Sequence, residues 1–574
     1  MSQKTPDNQS SSPDTQDLPG ILEAVEEVSP ERNALDRLIA RGGHAVSWLV
    51  LVAMGISVVE VFMRYGFNNP TSWVHETVVF LIAVIFVLGG PAAMARNSHI
   101  RVKVLYDSAG PRLKCWMDRF NDLLTLIFCL SMSYAAFHMF WGASHNPLGE
   151  WSLERSGTSW NPPFPAFITG LVAMAFTFGW FGEAALPLVT SRVYGFITEY
   201  SLVAVPMFVL MASLLDRSGI AKDLFNAMRV FAGRLPGGVA VQTIVVAFFL
   251  AALSGIIGGE IVLLGILALP QMLRLGYDKH LSIGVVCAGG ALGTMMPPSI
   301  VLIIYGLIAS VSIADLFAAA VTPAVILMGS YIAYVLVRCL KNPALGPPLD
   351  KNAQDNPFAT KLDAAKAILL PGLIAFLVLG TIYGGVASVT EAAAMGVFGV
   401  LLATIIRGEF TPGMLHHSLG QTMNTCGMII WIGIGAAALV GVYNLMGGNR
   451  FVSSLILGLD VAPIVIILVM MAIMLVLGLF LDWIGIAMLA LPIFLPIVIQ
   501  LGFDPIWFGI LFAVNMQVSF LSPPFGPAAF YLKSVAPPDI SLKDIYLSVL
   551  PFMAIQLCVL AALLMWPQLA IWPL

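Results

Sequence analysis

Two stretches of this chain, 226 residues apart, are variants of one unit. Around Leu269 the chain reads LPQMLRLGYD and then, after an apolar run, GTMMPPSIVLIIYG; around Leu495 it reads LPIVIQLGFD and then SFLSPPFGPAAFYL. Pro270 pairs with Pro496, Gly276 with Gly502, Asp278 with Asp504, Pro297 and Pro298 with Pro523 and Pro524, and Tyr305 with Tyr531. These glycines and prolines interrupt runs that are otherwise apolar enough for a bilayer interior. Backbone freed from helical hydrogen bonding at that depth survives only where protein or a water-filled cavity satisfies it. A matched pair of interrupted segments in the two halves of a membrane chain is the sequence mark of a transporter's binding site. The expected fold is all-α and polytopic, with inverted-topology repeats, two re-entrant helical hairpins and discontinuous helices. The expected task is to move a solute.

The bulk chemistry agrees. Of 574 residues 59% are apolar and only 10% charged, and the mean hydropathy is +0.90, far from the composition of an ordinary soluble domain. A net charge of −4 argues against a nucleic-acid partner. The six cysteines (Cys115, Cys129, Cys287, Cys339, Cys426, Cys558) lie mostly in apolar runs without metal-ligand spacing. They read as small buried hydrophobes. No Walker, GxSxG or HExxH pattern is present, so neither an ATP-driven pump nor a membrane hydrolase is supported, and no enzyme activity is expected.

Residues 1–43 begin with a polar stretch rich in Ser, Asp, Gln and Pro that lacks the basic start and apolar core of a signal peptide. They are expected to form a disordered cytoplasmic tail. Apolar windows long enough to span follow near 44–64, 75–94, 121–142, 163–187 and 197–215. Arg96, Arg101, Lys103, Arg112, Lys114 and Arg119 sit between the second and third windows. That basic excess marks a cytoplasmic loop and places the N-terminus inside.

Windows 238–253 and 257–274 form the arms of a first hairpin, meeting at Ser254 to Gly259. Its flanks carry Arg217, Lys222, Arg229 and Arg234 on one side and Arg274 and Lys279 on the other. Both ends are therefore expected in the cytoplasm. Windows 462–479 and 487–501 form a second hairpin with its tip at Leu481 to Gly485, and the turn that follows carries no Lys or Arg. That turn is expected outside, so the two units run in opposite directions. The polar linker 340–366, with Lys341, Lys351, Lys361 and Lys366, separates a first repeat (196–339) from a second (367–574). One conflict arises: counting spans from an inside N-terminus puts residue 216 outside, against its basic neighbours.

Four places break the helices in matched pairs. Two are the hairpin tips, Ser254 to Gly259 and Asp482 to Gly485; two are the interruptions at Gly289 to Thr294 before Pro297-Pro298 and at Ser519 to Ser522 before Pro523-Pro524. Freed carbonyls and hydroxyls at such places can hold a hard cation, and helix N-termini can face a carboxylate. Glycine and proline also serve plain packing in membrane helices, but four sites in two matched pairs favour function.

The runs LGTMMPPSIVLIIYG, LGLFLDWIGIAMLALPIFLPI and GFDPIWFGILFAVNMQVSFLSPPFG resemble the large membrane subunit of tripartite ATP-independent periplasmic (TRAP) transporters. GGVASVTEAAAMG resembles a further hallmark of that subunit, with Ser388-Val389-Thr390-Glu391-Ala392 where TPTEA is usual. RYGFNNPTSWVHE (Arg64 to Glu76) and HIRV (His99 to Val102) resemble the small membrane subunit. The resemblance covers roughly 45–574 and reads as a fusion: 44–162 small-subunit-like, 163–195 a shared or junction helix, and the remainder large-subunit-like. A shared or missing helix would resolve the parity conflict.

The resemblance implies a bacterial inner-membrane importer. A soluble periplasmic binding protein would deliver a small carboxylate, a Na+ gradient would supply energy, and the hairpins would move as an elevator. It implies Na+ held by Ser254, Gly289, Gly293 and Pro297 in one half and by Gly478, Asp482, Ser519 and Ser522 in the other. The carboxylate would lie between the tips, near Gly255, Gly258, Thr294, Ser299, Gly485, Pro523 and Gly526. The sequence departs from the family at the first tip, where SGIIGGE loses hydroxyls and adds Glu260. An acid inside the membrane is a functional candidate by default, and Glu260 could bind a cation, carry a proton or serve structure. A carboxylate transporter needing no binding protein stands as the alternative. Of the weaker candidates, Glu76 reads as an interfacial anchor or subunit contact. Thr390 reads as a helix cap with Glu391 in the first turn. His99 with Arg101 would meet lipid phosphates.

Overall fold

Six helices among the described residues are long and apolar enough to cross a membrane. The computed structural model describes residues 34–71, 73–95, 194–229, 235–255, 258–348, 361–445, 461–524 and 526–572, with a few positions between 110 and 144 and residue 452. All regular elements among these are helical. The expected span at 163–187, all but residues 140 and 141 of that at 121–142, the tail before residue 34 and the His99 to Val102 motif lie outside the described residues, and with them the parity question.

The N-terminal part contributes α1 (Ala34–Ser47), α2 (Leu49–Val61), a π-turn at Phe62–Gly66, and α3 (Val74–Ala95). After a short 3₁₀ turn, Tyr200–Val203, come α4 (Ala204–Arg217) and α5 (Ile220–Arg229). The first repeat follows as α6 (Gly238–Ser254), α7 (Gly259–Arg274), α8 (Lys279–Ala291), α9 (Ile300–Ala309) and α10 (Ile313–Lys341). Then come α11 (Lys361–Tyr383), α12 (Val389–Ile406) and α13 (Pro412–Leu445). The unit of the second repeat that matches α6 to α10 is α14 (Pro463–Gly478), α15 (Trp483–Gln500), α16 (Pro505–Leu521), α17 (Pro527–Val535) and α18 (Leu542–Met565).

The repeat survives in local detail. Asp278 caps α8 by accepting from the Leu281 N–H at 2.9 Å, and Asp504 caps α16 by accepting from the Ile506 N–H at 2.7 Å. Gly276 and Gly502, in the turns before these caps, take φ of 78° and 80°, a left-handed conformation that favours glycine. Both Pro-Pro bonds, Pro297-Pro298 and Pro523-Pro524, are cis. The packing is exchanged between copies: α7 of the first lies on α17 of the second, and α15 of the second on α9 of the first. One turn differs between copies: the Tyr277 hydroxyl accepts from the Val239 N–H at 3.2 Å and ties the first turn to the start of α6. Burial pushes that phenol up to about 12, and the matching residue of the second copy, Phe503, has no hydroxyl.

Burial separates a centre from a lipid-facing shell. In α8 every residue from Leu281 to Ala291 is buried, and in α16 every residue from Trp507 to Leu521; helices apolar all round belong inside. By contrast α14 exposes Val465, Leu468, Val469, Ile473 and Val476 along one face. An uninterrupted apolar stripe of that kind suits hydrocarbon rather than water. The N-terminal helices pack on the rest at two levels. α1 and α3 lie on α13, and α2 lies on α12; a methyl on Gly89 of α3 would stand 3.2 Å from the Gly427 Cα of α13.

Two sequence expectations are corrected here. The second arm of the second hairpin starts at Trp483 rather than 487, so the break is confined to Leu479 to Asp482 and Gly485 is helical. The Asp482 cap starts the helix before the glycine can break it. At the other motif the cap is Ser388, not Thr390: Ser388 and Glu391 form a capping box, while Thr390 lies inside the first turn.

Candidate binding site at the broken helices

Each hairpin presses its end onto the interruption of its own repeat. At the first tip Gly255 takes φ +59°, and a Cβ there would stand 2.0 Å from the Pro298 carbonyl oxygen. Only glycine lets the tip lie against that backbone. In the second copy Gly478 closes α14, and a Cβ there would meet the Ser519 hydroxyl at 2.2 Å. A Cβ on Gly258, whose φ is +108°, would stand 2.8 Å from the Tyr531 ring, so a residue of the second repeat covers the tip of the first.

Within the first interruption α8 ends at Ala291, a 3₁₀ turn runs Leu292–Thr294, and α9 resumes at Ile300. Gly289, Gly293, Thr294, Pro297 and Ser299 are all buried. The Thr294 hydroxyl donates to the Ala291 carbonyl at 2.9 Å, and the Ser299 hydroxyl donates to the Thr294 carbonyl at 2.6 Å. Ser299 also caps α9 by accepting from the Leu302 N–H. The turn thus consumes much of its own polarity. Of Ser254 only the backbone is described: it is the last residue of α6.

Glu260 opens the first turn of α7 and is 1% exposed. A methyl on Gly293 would meet both of its carboxylate oxygens at 3.0 Å. The carboxylate therefore faces the interruption of α8 and away from lipid. Its place in the first turn also suits the helix dipole. A second acid stands close by: a Cβ on Gly259 would lie 3.0 Å from the Asp216 Oδ2, which projects from the end of α4.

The second interruption also ties its hydroxyls to local carbonyls. The Ser519 hydroxyl donates to the Asn515 carbonyl at 3.1 Å and the Ser522 hydroxyl to the Val518 carbonyl at 2.8 Å. Each has spent its hydrogen within its own helix and keeps its oxygen as an acceptor. Asp482 accepts from the Ile484 N–H at 3.3 Å as the cap of α15, which is the capping role. Pro523 is exposed and Gly526, the residue before α17, is buried. Gly485 lies in the first turn of α15, off the break.

Sequence reasoning missed a residue that joins the two halves. Gln517 is fully buried, and its amide donates to the Ala291 carbonyl at 2.9 Å. Ala291 and Gln517 are themselves equivalent positions of the two repeats, 226 residues apart. That bond brings the ends of α8 and α16 together at matching positions. The signal was a lone glutamine in the apolar run NMQVSF. Chemically, the breaks bring hydroxyls, carbonyls and carboxylates together in largely buried surroundings. They contain no histidine or cysteine, and such an oxygen-only set suits a hard cation.

Paired helix interruptions at the centre of an all-helical apolar chain define a polytopic membrane permease. The comparisons then name the family. The description "Tripartite ATP-independent periplasmic transporter, DctM component" matches residues 163–569, and "Tripartite ATP-independent periplasmic transporters, DctQ component" matches residues 53–182. The chain belongs to the TRAP transporter permease family, a family of transporters and not of enzymes. Both matches include residues 163–182.

Among its relatives is the isethionate TRAP transporter permease protein DctMQ of Oleidesulfovibrio alaskensis, 30% identical over 392 residues, covering 68% of this chain and 60% of that protein. A C4-dicarboxylate TRAP transporter large permease protein of Vibrio cholerae is 28% identical, covering 71% of this chain and 93% of that one. The sialic acid TRAP transporter permease protein SiaT of Haemophilus influenzae is 23% identical, covering 91% of this chain and 96% of that one.

Proposed function

We propose that the chain is a fused TRAP permease of the bacterial inner membrane, N-terminus inside, that imports a small organic acid received from a periplasmic binding protein. A Na+ gradient drives it, and the two hairpins with their broken helices travel as a re-entrant elevator core against the remaining helices. Residues 163–182, matched by both subunit descriptions, fall at the expected junction of the fusion, 163–195.

The observation that carries this reading is the pair of buried interruptions and the oxygens they hold. Ser519 and Ser522, with Gly478 and Asp482, make one cation half-site; Gly289, Gly293, Pro297 and Ser254 make the other. Na+ accepts such hydroxyl and carbonyl ligands. The substrate carboxylate lies between the tips, against Gly255, Gly258, Thr294, Ser299, Pro523 and Gly526, where helix N-termini favour an anion. Gly485 contributes through the first turn of α15. The relatives named for isethionate, C4-dicarboxylate and sialic acid support an organic acid as cargo.

One observation favours a second reading of the coupling ion. Glu260 is buried and turned toward Gly293, so a proton could replace Na+ in the first half. Reconstitution in liposomes with candidate binding proteins, with and without a Na+ gradient, tests both. Uptake of labelled acid should require the binding protein and inward Na+. Uptake without any binding protein would overturn the TRAP reading of its mechanism, and uptake driven by a pH gradient alone would hand coupling to Glu260.

A further inference from the structure

Two motifs that set this chain apart, RYGFNNPTSW near the N-terminus and SVTEAAAMG in the large part, have no role in the broken-helix site. They meet each other. Arg64 stands in the π-turn after α2, and its guanidinium forks between two carboxylates: Nη2 lies 2.8 Å from Glu60 Oε1 on α2, and Nη1 lies 2.8 Å from Glu391 Oε1 on α12. Both carboxylates are nearly sealed, their side chains 3% exposed, whereas that of Arg64 is 40% exposed.

Each carboxylate is held by its own side before the arginine reaches it. Glu60 Oε2 accepts from the Thr71 N–H at 3.1 Å and from the Thr71 hydroxyl, folding the loop after the π-turn back onto α2. Glu391 Oε2 accepts from the Ser388 N–H at 2.8 Å within the capping box of α12. A second contact lies alongside: His75 at the start of α3 rests on Tyr200, their ring centroids 4.0 Å apart.

We propose that Arg64 is a positioning residue that sets the register of the small-subunit-like helices on the large-subunit-like part, with Glu391 as its acceptor. A planar, permanently charged fork suits two fixed carboxylates at once, which a lysine point charge does not. Removing the arginine leaves two buried carboxylates facing each other without a countercharge; removing Glu391 leaves the guanidinium on one side only. The frame around the transport site would then lose its seat at this end of α12, although no residue of the site is touched.

The test is a double-mutant cycle on the full chain purified in detergent, with Arg64→Met, Glu391→Met and the pair together. Melting temperature should fall by several degrees in each single variant, and the double variant should lose clearly less than the sum. Uptake by Arg64→Lys should lose maximal rate while its substrate KM and half-saturating Na+ stay at the wild-type values. Strictly additive melting losses, wild-type melting in Arg64→Met, or a shifted KM or Na+ requirement in Arg64→Lys would overturn the proposal. The melting cycle needs no substrate, so it stands even where the import reading fails.

Discussion

The two repeats share a backbone and divide the chemistry unequally. At the end of α8 and in the turn after it, positions 289, 291 and 293 are Gly, Ala and Gly; the equivalent positions on α16 are Asn515, Gln517 and Ser519. In the second copy polarity is built into the broken helix. In the first the helix is stripped to backbone, and a carboxylate is supplied across the gap by Glu260, whose own counterpart is the buried Ile486. The difference teaches that the two repeats share where a helix must break more strictly than which atoms the break presents.

Substitutions at the contact glycines would break the shared part of the comparison and should have the largest effect. Gly255→Val places a branched side chain at φ +59° and 2.0 Å from the Pro298 oxygen, and Gly478→Val drives one into Ser519 at 2.2 Å. Both should abolish uptake while the protein still reaches the membrane, as surface labelling of the purified membranes would read.

Next comes Ser522→Ala, which removes an acceptor oxygen from the second half. Contacts to a charged group are worth ~1.5–3 kcal/mol, so half-saturating Na+ in liposome uptake should rise roughly tenfold or more. Glu260→Gln probes the first half with a neutral isostere. A several-fold rise in half-saturating Na+ with an unchanged pH profile is expected; a flattened pH profile would instead assign Glu260 to protons and sharpen the contrast between copies.

Gln517→Leu should have the smallest effect. It removes one neutral hydrogen bond between the halves, worth ~1 kcal/mol, so the maximal rate should fall roughly fivefold with little change in substrate KM.

Much of this architecture was legible because helix breaking in a membrane is conspicuous. The arms of the first hairpin and the interruptions before both Pro-Pro pairs follow from glycine and proline in apolar runs. The misread boundaries came from weighting a breaker over a cap. Gly485 looked like a tip, yet Asp482 had already started α15. Thr390 looked like a cap, yet the Ser-x-x-Glu spacing of a capping box belonged to Ser388 and Glu391. What could not be read is contact between distant segments: the fork of Arg64 on Glu391, the reach of Gln517 to Ala291, the turn of Glu260 toward Gly293. Each depends on which faces of separate helices meet, and the local pattern carries no record of that.

The bond from Gln517 to the carbonyl of its own counterpart has a geometric corollary. Elsewhere in a duplicated fold, damage to one copy can be compared with, and partly relieved by, an intact twin. A contact between the two equivalent positions themselves has no twin. It occurs once, and makes residue 517 the place where one substitution is delivered to both halves at the same moment.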